Sequence, residues 1–244
     1  MVENIAKQFI DYIPDELVNA PSIWYAAKEA TIPRDLALKY VDMYQDEVIK
    51  DLRRRGIKPL DARELEERVY ALYEGGVAYV GKGIAGELYL EKLVPSSMLK
   101  NAIAFLHTHP IPLPVPTPED LASAANLGYR VECVASRIGC DRARITCVEP
   151  KRDWDSLIEA CSGISKVVLS VSEFIVVAND DSVFFVPLPT ENELNEITKR
   201  FVKALKPIAR VSIVDVWAPR SSPGIQTGVA WGSRAREEFR CLAL

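Results

Sequence analysis

Histidine is nearly absent from this 244-residue chain, with two copies, and several features that would define a function class are missing altogether. There is no basic excess. Thirty Lys and Arg stand against 34 Asp and Glu, for a net charge of −4 and a pI near 5.4, so the electrostatic footprint of a nucleic-acid binder is lacking. No stretch approaches the roughly 18 apolar residues needed to cross a bilayer. The opening MVENIAKQFIDYIPDEL carries acids where a secretory leader has a basic flank and an unbroken apolar core. The expectation is a soluble, cytoplasmic protein with neither a membrane nor a nucleic acid as partner. None of the five cysteines forms a C-x-x-C pair, which removes zinc ribbons and thioredoxin-type sites. The remaining composition, 48% hydrophobic and 26% charged, is that of a globular chain with room for one large domain plus extensions.

Residues 1–60 read as helical. PRDLALKYVDMYQDEVIKDLRRRG opens with Pro33 near a first helical position and ends at Gly56 behind a basic last turn. After a break at Lys58–Asp61, ARELEERVYALYEGG reads as a further amphipathic helix. From about residue 75 the pattern becomes strand-like: GVAYVG, ELYLEKLVP, NAIAFLH, YRVECVAS and ARITCVE, with one helix from Thr117 to about Leu127. Beyond Pro150 come a short helix in DWDSLIEAC, strands in VVLSVS, EFIVVA and SVFFVPL, a helix in TENELNEITKRFVKALKP, and a strand in RVSIVDVWA. The implied division is a helical region 1–60, a central domain 61–150 and an αβ region 151–244. Trp217 and Trp231 read as core rather than as a recognition surface.

Two glycine patterns mimic nucleotide loops. Gly76 to Lys82 satisfies most of a phosphate-loop expression, but Gly83 stands where a magnesium-binding hydroxyl belongs, and VAYV is strand-like. Gly81 to Gly86 satisfies G-x-G-x-x-G but precedes ELYLEKL, which alternates like a strand. Both read as a glycine-rich hairpin turn. Cys133 and Cys147 lie equally far from the turn Gly139-Cys140-Asp141, so a hairpin there makes them face each other, as two buried thiols or as a disulfide.

Both histidines fall in AFLHTHPIPLPVPTPED. His107 and His109 are two apart at the end of a predicted strand, so their side chains share a face and can reach one ion. Pro110 ends the strand, and the proline-rich IPLPVP leads stiffly to a helix start. Asp120, eleven positions after His109, lies on the first turn of that helix. Two histidines and one aspartate leave a tetrahedral zinc one open position, the arrangement of a catalytic site. A plainer reading also fits. Thr117-Pro118-Glu119-Asp120 is a good helix start, and Asp120 then stabilises the helix without binding metal.

H-x-H-P, a short spacer, then a hydroxyl residue three before aspartate resembles the JAMM (MPN+) zinc metalloprotease family, over about residues 62–150. The resemblance implies an α/β (α+β) fold: a curved mixed sheet of the MPN/JAMM, cytidine-deaminase-like kind, flanked by helices. It implies that His107, His109 and Asp120 bind Zn2+, and that Thr117, where the family has serine, helps stabilise an oxyanion. It also implies that Glu74, seven residues before Gly81, shuttles the proton. Glu119 and Glu87 are weaker candidates for that role. The 33 positions from Glu74 to His107 are few for the family, and no long insertion follows Asp120, which points to a simpler, prokaryotic-style member. The implied activity is cleavage of a peptide or isopeptide bond after the tail of a ubiquitin-like protein. The competing readings are a scaffold module, acting as a homo-oligomer or in a complex, and a non-protease relative like the DNA-repair-associated RadC group.

Overall fold

All six residues of AFLHTH are buried, as the central strand of a sheet covered on both faces must be. A computed structural model describes residues 2–10, 29–84, 90–138, 142–180 and 182–217. Its helices in chain order are α1 (Val2–Gln8), α2 (Arg34–Val41), α3 (Gln45–Arg54), α4 (Leu90–Leu93), α5 (Ser96–Asn101), α6 (Pro118–Leu127), α7 (Trp154–Val168) and α8 (Glu191–Leu205). Its strands are β1 (Thr31–Pro33), β2 (Leu60–Asp61), β3 (Glu66–Tyr73), β4 (Gly76–Ile84), β5 (Ala104–His109), β6 (Val131–Arg137), β7 (Arg142–Pro150), β8 (Glu173–Ala178), β9 (Val183–Pro187) and β10 (Ala209–Trp217). The class is mixed α+β.

The main sheet has the order β10-β7-β6-β5-β3-β4. Every neighbouring pair is antiparallel except β5 and β6. Strand β5 therefore has an antiparallel neighbour on one side and a parallel one on the other, and α6 is the crossover that the parallel pair requires. One face of the sheet is covered by α1 and the turn that follows it, whose Val2, Ile5, Ala6 and Phe9 pack against Leu106, Cys133, Ile145 and Val216. On the other face Phe105 packs with Ala124 and Tyr129, and α7 packs on α6. A second sheet is centred on β8. It pairs with β1 and β2 along one edge and with β9 along the other.

Strand pairing runs across positions 60 and 150. Strands β1 and β2 come from the N-terminal region and bond to β8 from the C-terminal one, while β10 extends the main sheet beside β7. Several local expectations are also corrected. The helix predicted from Pro33 to Gly56 is two helices, α2 and α3, because Tyr44 is extended (φ −67°, ψ 143°) and Asp46 and Glu47 start a new first turn. Gly56 does end it, at φ 70°. The preceding Thr31–Pro33 is a strand that buries Ile32.

The region 62–75 is not a helix. Ala62–Glu64 make one 3-10 turn, and Glu66–Tyr73 form β3 between β4 and β5. Val69 to Leu72 are buried in succession, so both faces are covered and neither the helical nor the strand period is readable. The hairpin turn lies at Glu74-Gly75, with Gly76 at φ 123°, rather than at Gly81 and Gly83, which continue β4, while Gly86 lies outside the described residues. ELYLEKL is not a strand over its described part, where Leu90–Leu93 are helical. The first residues of VVLSVS complete α7. Trp217 is 65% exposed at the end of β10 rather than core, and Trp231 lies outside the described residues. Cys133 and Cys147 are direct partners across β6 and β7 and are joined as a disulfide. Among the described residues no helix is long and apolar enough to cross a membrane.

Candidate metal centre

Strand alternation places Phe105, His107 and His109 on the face of β5 that carries α6. The chain must then return to start β6 in the same direction, and the loop Pro110–Thr117 brings the N-terminus of α6 over the carboxyl end of β5. Thr117 is the N-cap of α6 (φ −81°, ψ 166°). Its Oγ1 accepts the Asp120 N–H at 3.2 Å, and Asp120 Oδ2 accepts the Thr117 N–H at 2.7 Å. This reciprocal capping box holds the Asp120 carboxylate against the histidines. Oδ1 lies 3.3 Å from His107 Nε2, and Oδ2 lies 3.5 Å from His109 Nε2.

The two Nε2 atoms are 3.0 Å apart, and the donor atoms of His107, His109 and Asp120 all lie within 4.8 Å of one another. Ligands held about 2.0–2.1 Å from a tetrahedral zinc are separated by about 3.3–3.4 Å, so the spacing fits. The outer nitrogens fix the tautomers. His109 Nδ1 lies 2.6 Å from the Leu113 carbonyl, which can only accept, so Nδ1 carries the proton. His107 Nδ1 lies 2.8 Å from Glu132 Oε1. That approach is oblique, since Oε1 has no well-aligned donor, but Tyr129 Oη donates to Glu132 Oε2 at 2.5 Å and anchors the carboxylate. Two Nε2 lone pairs and a carboxylate thus converge on one point. That convergence is stable only around positive charge, either a proton or a metal ion. The three side chains can hold a metal ion, and Glu132 and Tyr129 form the outer support that metal-binding histidines use.

Charge and burial compete at every group here. Burial by itself lowers His107, but the Asp120 and Glu132 carboxylates outweigh it and hold the imidazole well above its usual value. Burial raises Asp120, but His107 and His109 hold it well below the usual carboxylate range. Glu132 is raised by burial despite His107 beside it. In the metal-free protein the raised His107 contributes stability that is full below about pH 6.5 and is lost as pH rises through the elevated value. Metal loading must expel that proton. Apparent metal affinity is therefore expected to rise with pH, with proton release on loading in a weakly buffered solution. Loading without proton release at neutral pH contradicts this charge assignment.

The triad lines a cleft of about 710 Å³. Thr117 borders it, Glu119 stands exposed at its rim, and Glu67 faces the metal ligands. Glu67 is the residue the sequence reading missed. Val69 pairs with His107, so Glu67 extends that register to lie opposite His109 on the same face. Its side chain remains accessible from the cleft, but the surrounding protein desolvates the carboxyl and raises its pKa, with His107 and His109 pulling the other way. Glu74, by contrast, is exposed in the β3–β4 turn. It lies seven residues along β3 from Glu67, about 23 Å at the strand rise, at the far end from the histidines. Of the two glutamates, Glu67 is thus the one beside the histidines, and Glu74 lies away from them. Glu87 lies outside the described residues.

No protein-family model matches the chain, and no curated protein or solved structure matches it either.

The Glu132 contact yields a direct expectation. Glu132→Gln preserves volume but removes the charge behind His107, and metal affinity should fall by about 10–100-fold. Competition against a chromogenic chelator measures it, and an unchanged affinity removes Glu132 from the site. The sequence carried a signal for this residue: a lone acid inside the apolar strand VECVAS needs a partner if buried.

Proposed function

We propose that this chain is a zinc-dependent hydrolase of peptide or isopeptide bonds with a JAMM-like core. The observation that carries the reading is the convergence of His107, His109 and Asp120 on one point beside the Glu67 carboxyl, in a cleft. The order of elements supports it: a hairpin bearing the glutamate, the H-x-H strand, a helix bearing the aspartate, then the antiparallel β6–β7 pair.

His107, His109 and Asp120 would hold the zinc, with the tautomers fixed by Glu132 and the Leu113 carbonyl. When bound, zinc supplies Lewis acidity to activate water and to polarise an amide carbonyl. Glu67 accepts a proton from the attacking water and returns it to the departing amine. Its burial raises its basicity towards that task, while the adjacent imidazoles pull the other way. The Thr117 hydroxyl accepts a hydrogen bond from the Asp120 N–H and so keeps its own proton free to donate to a developing oxyanion. The substrate class proposed from the resemblance is a ubiquitin-like protein joined through its C-terminal tail.

The test is cleavage of ubiquitin-like fusions, linked through a main-chain amide and through a lysine Nε amide, with and without 1,10-phenanthroline. Cleavage is expected to stop with the chelator and return with added zinc. Cleavage indifferent to the chelator contradicts the proposal.

A further inference from the structure

Strand β9 is an edge. Strand β8 lies on one side of it, and among the described residues no strand lies on the other. Backbone groups alternate between the two sides of an antiparallel strand, and neighbouring bonds fix which residues face which way. The Asn179 N–H donates to the Ser182 carbonyl and the Leu188 N–H to the Glu173 carbonyl, so the even-numbered residues face β8. Val183 faces outward. Its N–H donates to Gln45 Oε1 at 2.8 Å, and its carbonyl accepts from Gln45 Nε2 at 3.3 Å. The Gln45 carboxamide thus occupies this edge as the backbone of an added strand would. Two residues on, Phe185 presents the same outward N–H and carbonyl, with no hydrogen-bond partner among the described residues. The Pro187 carbonyl faces the same way, without an N–H beside it.

This free edge opens on the metal cleft. Phe184, Phe185, Val186 and Pro187 line the cleft in succession, although alternate side chains of a strand point to opposite faces. A run of four consecutive residues therefore meets the cavity with the strand's edge. The sheet is also fixed against the histidine end of β5. Leu65, two residues before Glu67, and Ile111, two after His109, join the apolar cluster that Phe184 and Val186 cover.

We infer that the cleft takes its substrate as an extended chain that adds a strand to β9, pairing with the Phe185 N–H and carbonyl and with the Pro187 carbonyl. The inference rests on the metal-hydrolase reading and narrows its substrate to a peptide segment outside helices and sheets, since a residue within those has already committed its N–H. Recognition through the main chain makes little demand on side-chain identity, which suits the tail of a ubiquitin-like protein. The edge itself comes from β9 and Gln45, both beyond the β3–β7 unit that carries the metal ligands.

The test uses an acetylated peptide of three alanines and one glycine ending in a hydroxamate, which chelates metal without turnover, and four analogues, each N-methylated at one amide. Binding to the zinc-loaded full chain is measured by calorimetry, with acetohydroxamate as the reference. The peptide is expected to bind at least about tenfold tighter than acetohydroxamate. Methylation is expected to weaken it about 10–100-fold at alternate positions, where the N–H donates to β9, and by less than about threefold between them. Exchange of the Phe185 amide hydrogen, followed by NMR, should slow at least about tenfold with the peptide and stay unchanged with acetohydroxamate. Losses at adjacent positions, no loss at any position, or an unprotected Phe185 amide overturns the strand inference, while zinc loading and acetohydroxamate binding leave the metal reading standing. A chain that loads no zinc overturns both.

Discussion

Glu67→Gln is expected to retain zinc while turnover falls by about 10²–10⁴-fold, the contribution of a positioned general base. Glutamine keeps the size of the side chain at the edge of the cleft but cannot take a proton. The metal ligands do not include Glu67, so zinc content should stay near that of the parent chain. The paired control is Glu74→Ala, which alters only an exposed turn and should leave turnover within about twofold, since surface changes away from special features have small effects. Rate measurements on both variants, with zinc content alongside, distinguish the two glutamates. The reverse pattern, with Glu74 essential and Glu67 dispensable, contradicts the register on which the assignment depends.

The second large effect concerns Asp120, which serves two roles with different atoms. It closes the capping box of α6, and it faces both imidazoles. Asp120→Asn preserves an acceptor for the Thr117 N–H but removes the negative charge. Asp120→Ala removes both. Zinc affinity should fall by more than about 100-fold in each variant, exceeding the range for an outer-support residue. Only the alanine variant should also lose the cap, about 1 kcal/mol of stability. Zinc titration together with denaturant unfolding of the zinc-free proteins separates the effects. Zinc binding that survives in the asparagine variant means that Asp120 is only a helix cap.

The part of this site that the sequence disclosed is the part written in local spacing. His107 and His109 share a strand face because any strand alternates, and Thr117 through Asp120 announce a helix start whatever the fold. A short proline-rich loop then leaves the two little freedom to lie apart. Glu67 was hidden because its strand is buried on both faces. Val69, Tyr70, Ala71 and Leu72 form an apolar run compatible with helix or strand, and only the pairing of Val69 with His107 identifies the glutamate's face. Glu132 was hidden for a related reason, since its role depends on the parallel pairing of β5 with β6. Long-range pairing across positions 60 and 150 was equally hidden. Three-residue β1 and two-residue β2 are too short to signal themselves, yet they edge the sheet whose β9 forms one wall of the cleft.

The central claim is that two imidazoles and one carboxylate hold zinc. The most direct measurement is zinc content by inductively coupled plasma mass spectrometry, for the purified chain beside His109→Ala, each after folding with zinc supplied and dialysis against a weak chelator. The account predicts close to one zinc per chain in the parent and almost none in the variant. Zinc absent from both, or equal in both, contradicts it.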